Sequence, residues 1–305
     1  MKKELKFVLT GLALSSLVVF NSGCGDSETG TTENDPIDTI DSIIGGGGND
    51  VGPIGIGGQI FSIPSPVQTA YLIKDVGADF NSDILNPREN ADNYSTSFLK
   101  ALNMGVYGAD LGYLTIYDNT DESMKYLTSV RGLAKDLDLG GAFDEDLIER
   151  FSSNIGDQDS MLVFVSEAYK NADNYLKDND KDEIAALVVT GGWIEATYFA
   201  SRTAVETNDQ QIIDRLGDQK NTLHSLILML EQYRGNQDYD DLAYELEDLY
   251  MVFEEIKYTY EFVPPVTDPS NKLTMIKSKH TVELTEDHLN AIIEKIESIR
   301  NEIVQ

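Results

Sequence analysis

The sequence predicts an all-α fold, an antiparallel multi-helix bundle or a short TPR-like superhelix of about nine helices. Three observations predict it. Apolar residues recur at alternating spacings of three and four over most of residues 66–305. Helix start and stop signals punctuate those stretches: Ser65-Pro66, Asn119 with Glu122, Gly140-Gly141, Gly235-Asn236, Pro264-Pro265 and Thr285. Period-two alternation is scarce, confined to a loose pattern over residues 273–284. Hydrophobic residues make up 41% of the 305, enough for a packed core.

In order, the first helix is expected from Pro66 to about Val76, with proline where its missing N–H costs nothing. Residues 81–93 read as loop, broken by Asn86-Pro87. A helix from about Thr96 to Asp118 carries Ala101, Gly105, Gly108 and Gly112 on one stripe. Three glycines on one helix face point to a second backbone in close approach, because each costs about 1 kcal/mol otherwise. Gly191, on the stripe of a later helix, is the candidate opposite them. The next helix starts at Asn119, with Glu122 at the capping-box position, and closes at Gly140-Gly141. A short helix over 144–151 and a long one over 157–178 follow.

Residues 184–204 form the most apolar stretch of the body, with Glu195 the one charge between Ile184 and Ala200, and so the expected central helix. Residues 210–234 and 239–260 read as a helical hairpin. The second arm has an apolar seam of Tyr239, Leu242, Leu246, Leu249, Phe253, Ile256 and Tyr260. A short extended piece over 273–284 and a last helix over 285–304 complete a single domain, residues 66–305. There is no fixed 34-residue repeat, which argues against a true TPR array.

Composition narrows function. The chain carries 23 basic and 53 acidic residues, a net charge of −30, which excludes a basic nucleic-acid surface. One cysteine excludes a disulfide framework and a multi-thiolate zinc site. The three histidines, His224, His280 and His288, have no metal-ligand spacing. Asp178, Asp180 and Asp182 imitate the start of an EF-hand loop, but Glu183 and Val189 occupy the positions of its glycine and bidentate glutamate. No metal site and no cofactor is expected. No nucleophile elbow or phosphate loop is present in the sequence.

The N-terminus points to the cell envelope. Lys2, Lys3 and Lys6 precede an apolar run from Phe7 to Phe20, too short to span a bilayer, and Ser22-Gly23-Cys24 follows. This resembles the signal and lipobox of bacterial lipoproteins, with Asn21 where an aliphatic residue is usual, a looseness associated with the Bacteroidota. The resemblance implies cleavage after residue 23, acylation of Cys24 and attachment to the outer membrane, on its periplasmic or its surface side. Cleavage would leave 20 basic and 52 acidic residues, a net charge of −32. So acidic a body is repelled by anionic lipid, and the acyl group must hold it. Residues 24–65, with ten glycines and seven acidic residues after Cys24, read as a disordered tether. Its acidic start, Gly25-Asp26-Ser27-Glu28, resembles surface-export signals of the same lipoproteins.

The local candidate for a site is Trp193, Glu195, Tyr198 and Arg202. A lone carboxylate in an apolar helix must be paired or protonated. Glu195 can be a packing residue bound to Arg202 or a tyrosine, or it can face a ligand pocket walled by Trp193, with Tyr107, Tyr113 and Tyr117 nearby. No catalytic residue is assigned. The functional expectation is a membrane-anchored, non-catalytic binding module with an envelope protein or a small ligand as partner. The alternatives are a small-molecule or glycan-binding lipoprotein with its pocket near Trp193 and Glu195, and, behind it, an enzyme using Glu195.

Overall fold

A computed structural model describes residues 54–56, 59–61, 63–142, 145–154, 175, 181–268, 273–275 and 278–305. The signal segment, Cys24, most of the tether, the helix expected over 157–178 apart from residue 175, and residues 178–180 of the acidic turn lie outside them.

The described chain is all-α, with nine α-helices and three small strand pairs. Strands β1 (Ile54–Ile56) and β2 (Gln59–Phe61) form an antiparallel hairpin, so the end of the expected tether is structured rather than disordered. Ile63 and Ser65 just beyond it are buried. Helix α1 (Pro66–Asp75) starts as expected, with the Ser65 hydroxyl accepting from the Val67 N–H. Helix α2 (Ser97–Ile116) is capped by Thr96, whose hydroxyl accepts from Leu99 N–H at 3.1 Å. Helix α3 (Thr120–Asp136) begins after Asn119, but the Asn119 side chain makes no cap bond. Helix α4 is Glu145–Asn154.

Helix α5 (Asp182–Thr207) is the centre of the fold. It is long and apolar enough to cross a membrane, yet most of it is buried among neighbouring helices, as a core helix is. It packs against α1, α2, α6 (Gln210–Gly217), α7 (Lys220–Leu230) and α9 (Glu286–Ile303). In a superhelix each unit touches only its sequence neighbours, so this arrangement is a bundle. The glycine expectation holds at Gly105 and Gly191 but not along the whole stripe, because Gly112 faces the Val67 side chain of α1. A Cβ on Gly105 would lie 2.0 Å from the Val188 carbonyl oxygen, and one on Gly191 would lie 2.0 Å from that of Leu102. Side chains there would push the two backbones apart.

Two expected helices end early. The stretch 210–234 divides at Gly217, Asp218 and Gln219 into α6 and α7. Helix α8 (Gln237–Glu255) stops before Ile256, which is extended, and the chain continues as β3 (Lys257–Glu261). The seam from Tyr239 to Ile256 is buried as expected, whereas Tyr260 is 65% exposed. The reason is a pairing twenty residues away. Strand β3 is antiparallel to β6 (Lys279–Glu283), with Tyr258 opposite Val282 and Tyr260 opposite His280. Tyr258, Thr259 and Tyr260 in β3 face Val282, Thr281 and His280 in β6, and pairing of these aromatic and β-branched residues overrides the helical spacing. Farther out, β4 (Val266–Asp268) pairs with β5 (Leu273–Met275). The expected short extended piece is thus one side of a β-arm between α8 and α9. Its root is fixed on α6: the Tyr258 hydroxyl donates to the Gly217 carbonyl at 2.8 Å, and Val282 occupies the space a Cβ on Gly217 would need.

Candidate functional site

The close approach of α2 and α5 leaves little room beside the two glycines, and α9 lies across the same junction. Each of the three helices brings one charged side chain to it. Glu195 is one turn beyond Gly191 on α5, Asp110 lies on α2 beyond Gly105, and Arg300 comes from the last turn of α9. Asp110 and Glu195 are both fully buried, and Arg300 is 7% exposed.

The Arg300 guanidinium binds Glu195 in bidentate fashion. Its Nε donates to one carboxylate oxygen at 3.0 Å and its Nη2 to the other at 3.0 Å. Nη2 also donates to the Ile84 carbonyl at 3.3 Å, and the guanidinium carbon lies 4.7 Å from the centroid of the Tyr198 ring. This planar fork satisfies both carboxylate oxygens, which is the condition under which a buried ion pair is tolerated.

Asp110 is the unusual member. Neither of its oxygens finds a hydrogen-bond donor in ordinary geometry. Its neighbours are the Glu195 carboxylate, Arg300 and the backbone N–H of Asn86. One guanidinium cannot neutralise two buried carboxylates. Burial first, and the Glu195 charge second, push the Asp110 carboxyl well above the usual carboxylate range. Burial also raises Glu195, but Arg300 opposes that rise. The arrangement therefore keeps the charge on Glu195 and the proton on Asp110. A protonated Asp110 is itself a donor, and Glu195 is the acceptor beside it.

Amides and phenols extend the junction to the C-terminus. Asn103 Nδ2 donates to the Ile303 carbonyl at 2.6 Å, and Asn90 Nδ2 donates to the Val304 carbonyl at 3.2 Å. These carbonyls belong to the end of α9, where no intrahelical donor exists. Asn86 Nδ2 donates to Tyr94 Oη at 2.9 Å, and Tyr126 donates to the Asn86 carbonyl at 2.9 Å. The Tyr107 hydroxyl donates to the Pro87 carbonyl at 2.8 Å and that of Tyr117 to the Ala78 carbonyl at 2.8 Å, while Tyr113 accepts from the Asn81 N–H at 3.1 Å. These three tyrosines pin the loop over residues 77–93 to α2. Burial raises the hydroxyl pKa of each.

The four residues singled out by sequence do not form one group. Glu195 and Tyr198 meet through Arg300. Arg202 does not reach Glu195; it is exposed at the surface, 3.9 Å from Glu297. Trp193 is buried, and its indole N–H donates to Gln219 Oε1 at 3.0 Å at the joint of α5 with α6 and α7. Residues two apart on a helix do not share a face, so Trp193 and Glu195 serve different contacts. Two sizeable surface cavities, of about 510 and 460 Å³, are lined by other residues. Among the described residues no cluster of three or more His, Cys, Asp or Glu could hold a metal ion.

Asp110 and Arg300 were missing from the sequence reading. The signal that found Glu195 was available for Asp110: it and Lys100 are the only charges on α2, and Asp110 sits deep in its apolar half. Arg300 was hidden because an arginine beside Ile299 and one turn after Ile296 looks like the edge of an amphipathic helix. No known family, no curated protein and no solved structure matches this chain in sequence or fold.

Proposed function

We propose that this chain is a lipid-anchored, non-catalytic interaction module of the cell envelope, held at the outer membrane through Cys24, with the β-arm as its contact element. The observation that carries the reading is the outer part of that arm. Phe262 is 66% exposed, Val266 46%, Leu273 52% and Met275 42%. Val266 and Met275 are opposite each other, and Leu273 lies two residues from Met275 on the same face of the ribbon. Apolar side chains gathered on a projecting two-stranded element mark contact surfaces. Both ribbon edges are also open to further strand pairing. The Glu195 geometry supports the non-catalytic part: the one acid that sequence offers for chemistry has no exposed surface and both oxygens held by Arg300.

Two experiments test this. A photocrosslinking phenylalanine at Phe262 in intact cells should capture a discrete product, whereas the same probe at exposed Thr128 on α3 should not. Equal capture at both sites, or none at either, counts against the arm. Separately, Cys24→Ala should move the protein from the membrane to the soluble fraction and abolish labelling by an alkynyl fatty acid. An unchanged distribution would remove the anchor from the proposal.

A further inference from the structure

We infer that this chain binds a small organic cation with an apolar body, an alkyl- or arylammonium, in a groove at the opposite end of α8 from the arm. This site goes beyond the reading of the arm and stands without it.

The groove is a cavity of about 460 Å³ between the start of α2, the start of α8 and the end of α9, in the size range of small-ligand pockets. Its floor is apolar: Leu242, Ile299 and Ile303 belong to the packed core and line the cavity with the little surface they expose. Two rings join them. Phe98 is fixed edge-on against Tyr239, with ring centroids 5.1 Å apart, and Tyr244 is 60% exposed. An ammonium group is attracted to the faces of such rings, and an alkyl or aryl body to the floor.

The rim supplies the charge. Asp238, Asp241, Glu245 and Glu302 line it, and no lysine or arginine does. Along α8 these acids stand apart from the rest. Every other acid of that helix has a basic partner: Asp240 and Glu247 share Arg234, Asp248 holds Lys295, Glu254 holds Lys220, and Glu255 lies 4.0 Å from the His288 ring. Asp238, Asp241 and Glu245 have none among the described residues; Asp241 accepts from the neutral Gln237 amide at 2.7 Å. The acids of α8 left unmatched are therefore the ones that line the groove.

This combination selects the ligand. An anion is repelled by the rim, and a neutral apolar molecule leaves the mutual repulsion of its carboxylates in place. A bare metal ion gains nothing from the floor, and among the described residues these acids do not gather into a metal-holding cluster. An organic ammonium engages rim, rings and floor together. Tyr244 already receives one cation of this kind: the Arg234 guanidinium lies 4.8 Å from its ring centroid, held there by Asp240 and Glu247 outside the groove.

The test is calorimetric titration of the full chain in a mild non-ionic detergent, against four probes. Benzyltrimethylammonium should bind once per chain with a Kd of about 1 mM or below. Phenylacetate, benzyl alcohol and tetramethylammonium, which lack the positive charge or the apolar body, should bind at least tenfold more weakly. The double variant Asp241→Asn, Glu245→Gln changes two exposed side chains; it should keep the melting temperature and lose at least tenfold in affinity for benzyltrimethylammonium. Tyr244→Ala, which removes an exposed ring, should also weaken binding. Asp75→Asn with Asp79→Asn removes the same charge from exposed positions outside the groove and should change the affinity less than about twofold. Phe262→Ser on the arm should leave it unchanged. Absence of binding at about 10 mM probe overturns the inference. So does equal affinity for phenylacetate or benzyl alcohol, or a groove double variant and Tyr244→Ala that both bind as wild type does. Equal losses from the two double variants overturn it as well, because the probe then reads net charge alone.

Discussion

The junction of α2, α5 and α9 and the β-arm handle polar and apolar groups in opposite ways. The junction buries two carboxyls and a guanidinium in the apolar centre of the bundle, and the arm holds phenylalanine, leucine and methionine out in solvent. Each arrangement runs against simple partition. In the junction the cost of desolvating charge is offset by a bidentate pair and a retained proton, and the geometry locks three helices in register. In the arm nothing within the described chain covers the apolar face. The contrast teaches that unfavourable placement has different meanings in the two places. Where buried charge is compensated by a partner or a proton, the placement serves the fold; where apolar surface is left uncovered, it serves an encounter.

The largest expected effect breaks the junction itself. Arg300→Met leaves Glu195 buried without its cation and removes the donor to Ile84; it should cost about 3–5 kcal/mol in urea unfolding. A loss under about 1 kcal/mol would mean the pair contributes little to holding α9. Gly191→Val tests the backbone approach beneath it. Its Cβ would overlap the Leu102 carbonyl, so a loss of about 3 kcal/mol or a failure to accumulate folded protein is expected.

Asp110→Asn sharpens the picture, because the proton assignment makes it mild. It should lie within about 1 kcal/mol of wild type near pH 4, where the carboxyl is protonated in both states, unlike the Arg300 variant. The sign of its pH dependence follows from the raised pKa of Asp110. The folded state retains a proton that the unfolded state releases near pH 4, so this contribution is full below that pH and falls as pH rises toward the folded pKa. Wild type should therefore lose stability relative to Asp110→Asn by up to about 1.4 kcal/mol per pH unit above about pH 4. Wild-type stability that rises relative to Asp110→Asn over the same range would place the charge on Asp110.

On the arm the expected stability effects are smaller. Gly217→Ala puts a methyl where Val282 sits and should cost about 1 kcal/mol, with faster proteolysis between Lys257 and Glu283 as the readout. Phe262→Ser should change global stability by less than about 0.5 kcal/mol while weakening association. A large loss of stability from Phe262→Ser would show that the arm belongs to the core after all.

Much of the bundle was legible because local signals and tertiary demand agree there. Ser65-Pro66, Thr96 and Thr285 are helix starts in both readings, and Thr285 adds a reciprocal cap with His288. Gly105 and Gly191 were readable as an approach because a helix does not carry glycine on a packed stripe without a neighbour to justify it. The arm was illegible for the opposite reason. Tyr260 continues the heptad seam of α8, and only Thr281, Val282 and their neighbours, distant in sequence, turn that stretch into a strand. The candidate site was half visible: a lone carboxylate announces that it needs a partner but does not say where the partner is.

By itself the sequence determined the helical class, the central apolar helix, the glycine stripe and the need of Glu195 for compensation, since each follows from spacing or composition within a few turns of chain. Only the tertiary structure decided that Arg300 supplies the compensation 105 residues away, and that Asp110 joins it. It alone decided that the α8 seam ends in a β-arm. These are choices among partners brought together by folding, and no local periodicity encodes which distant group will arrive.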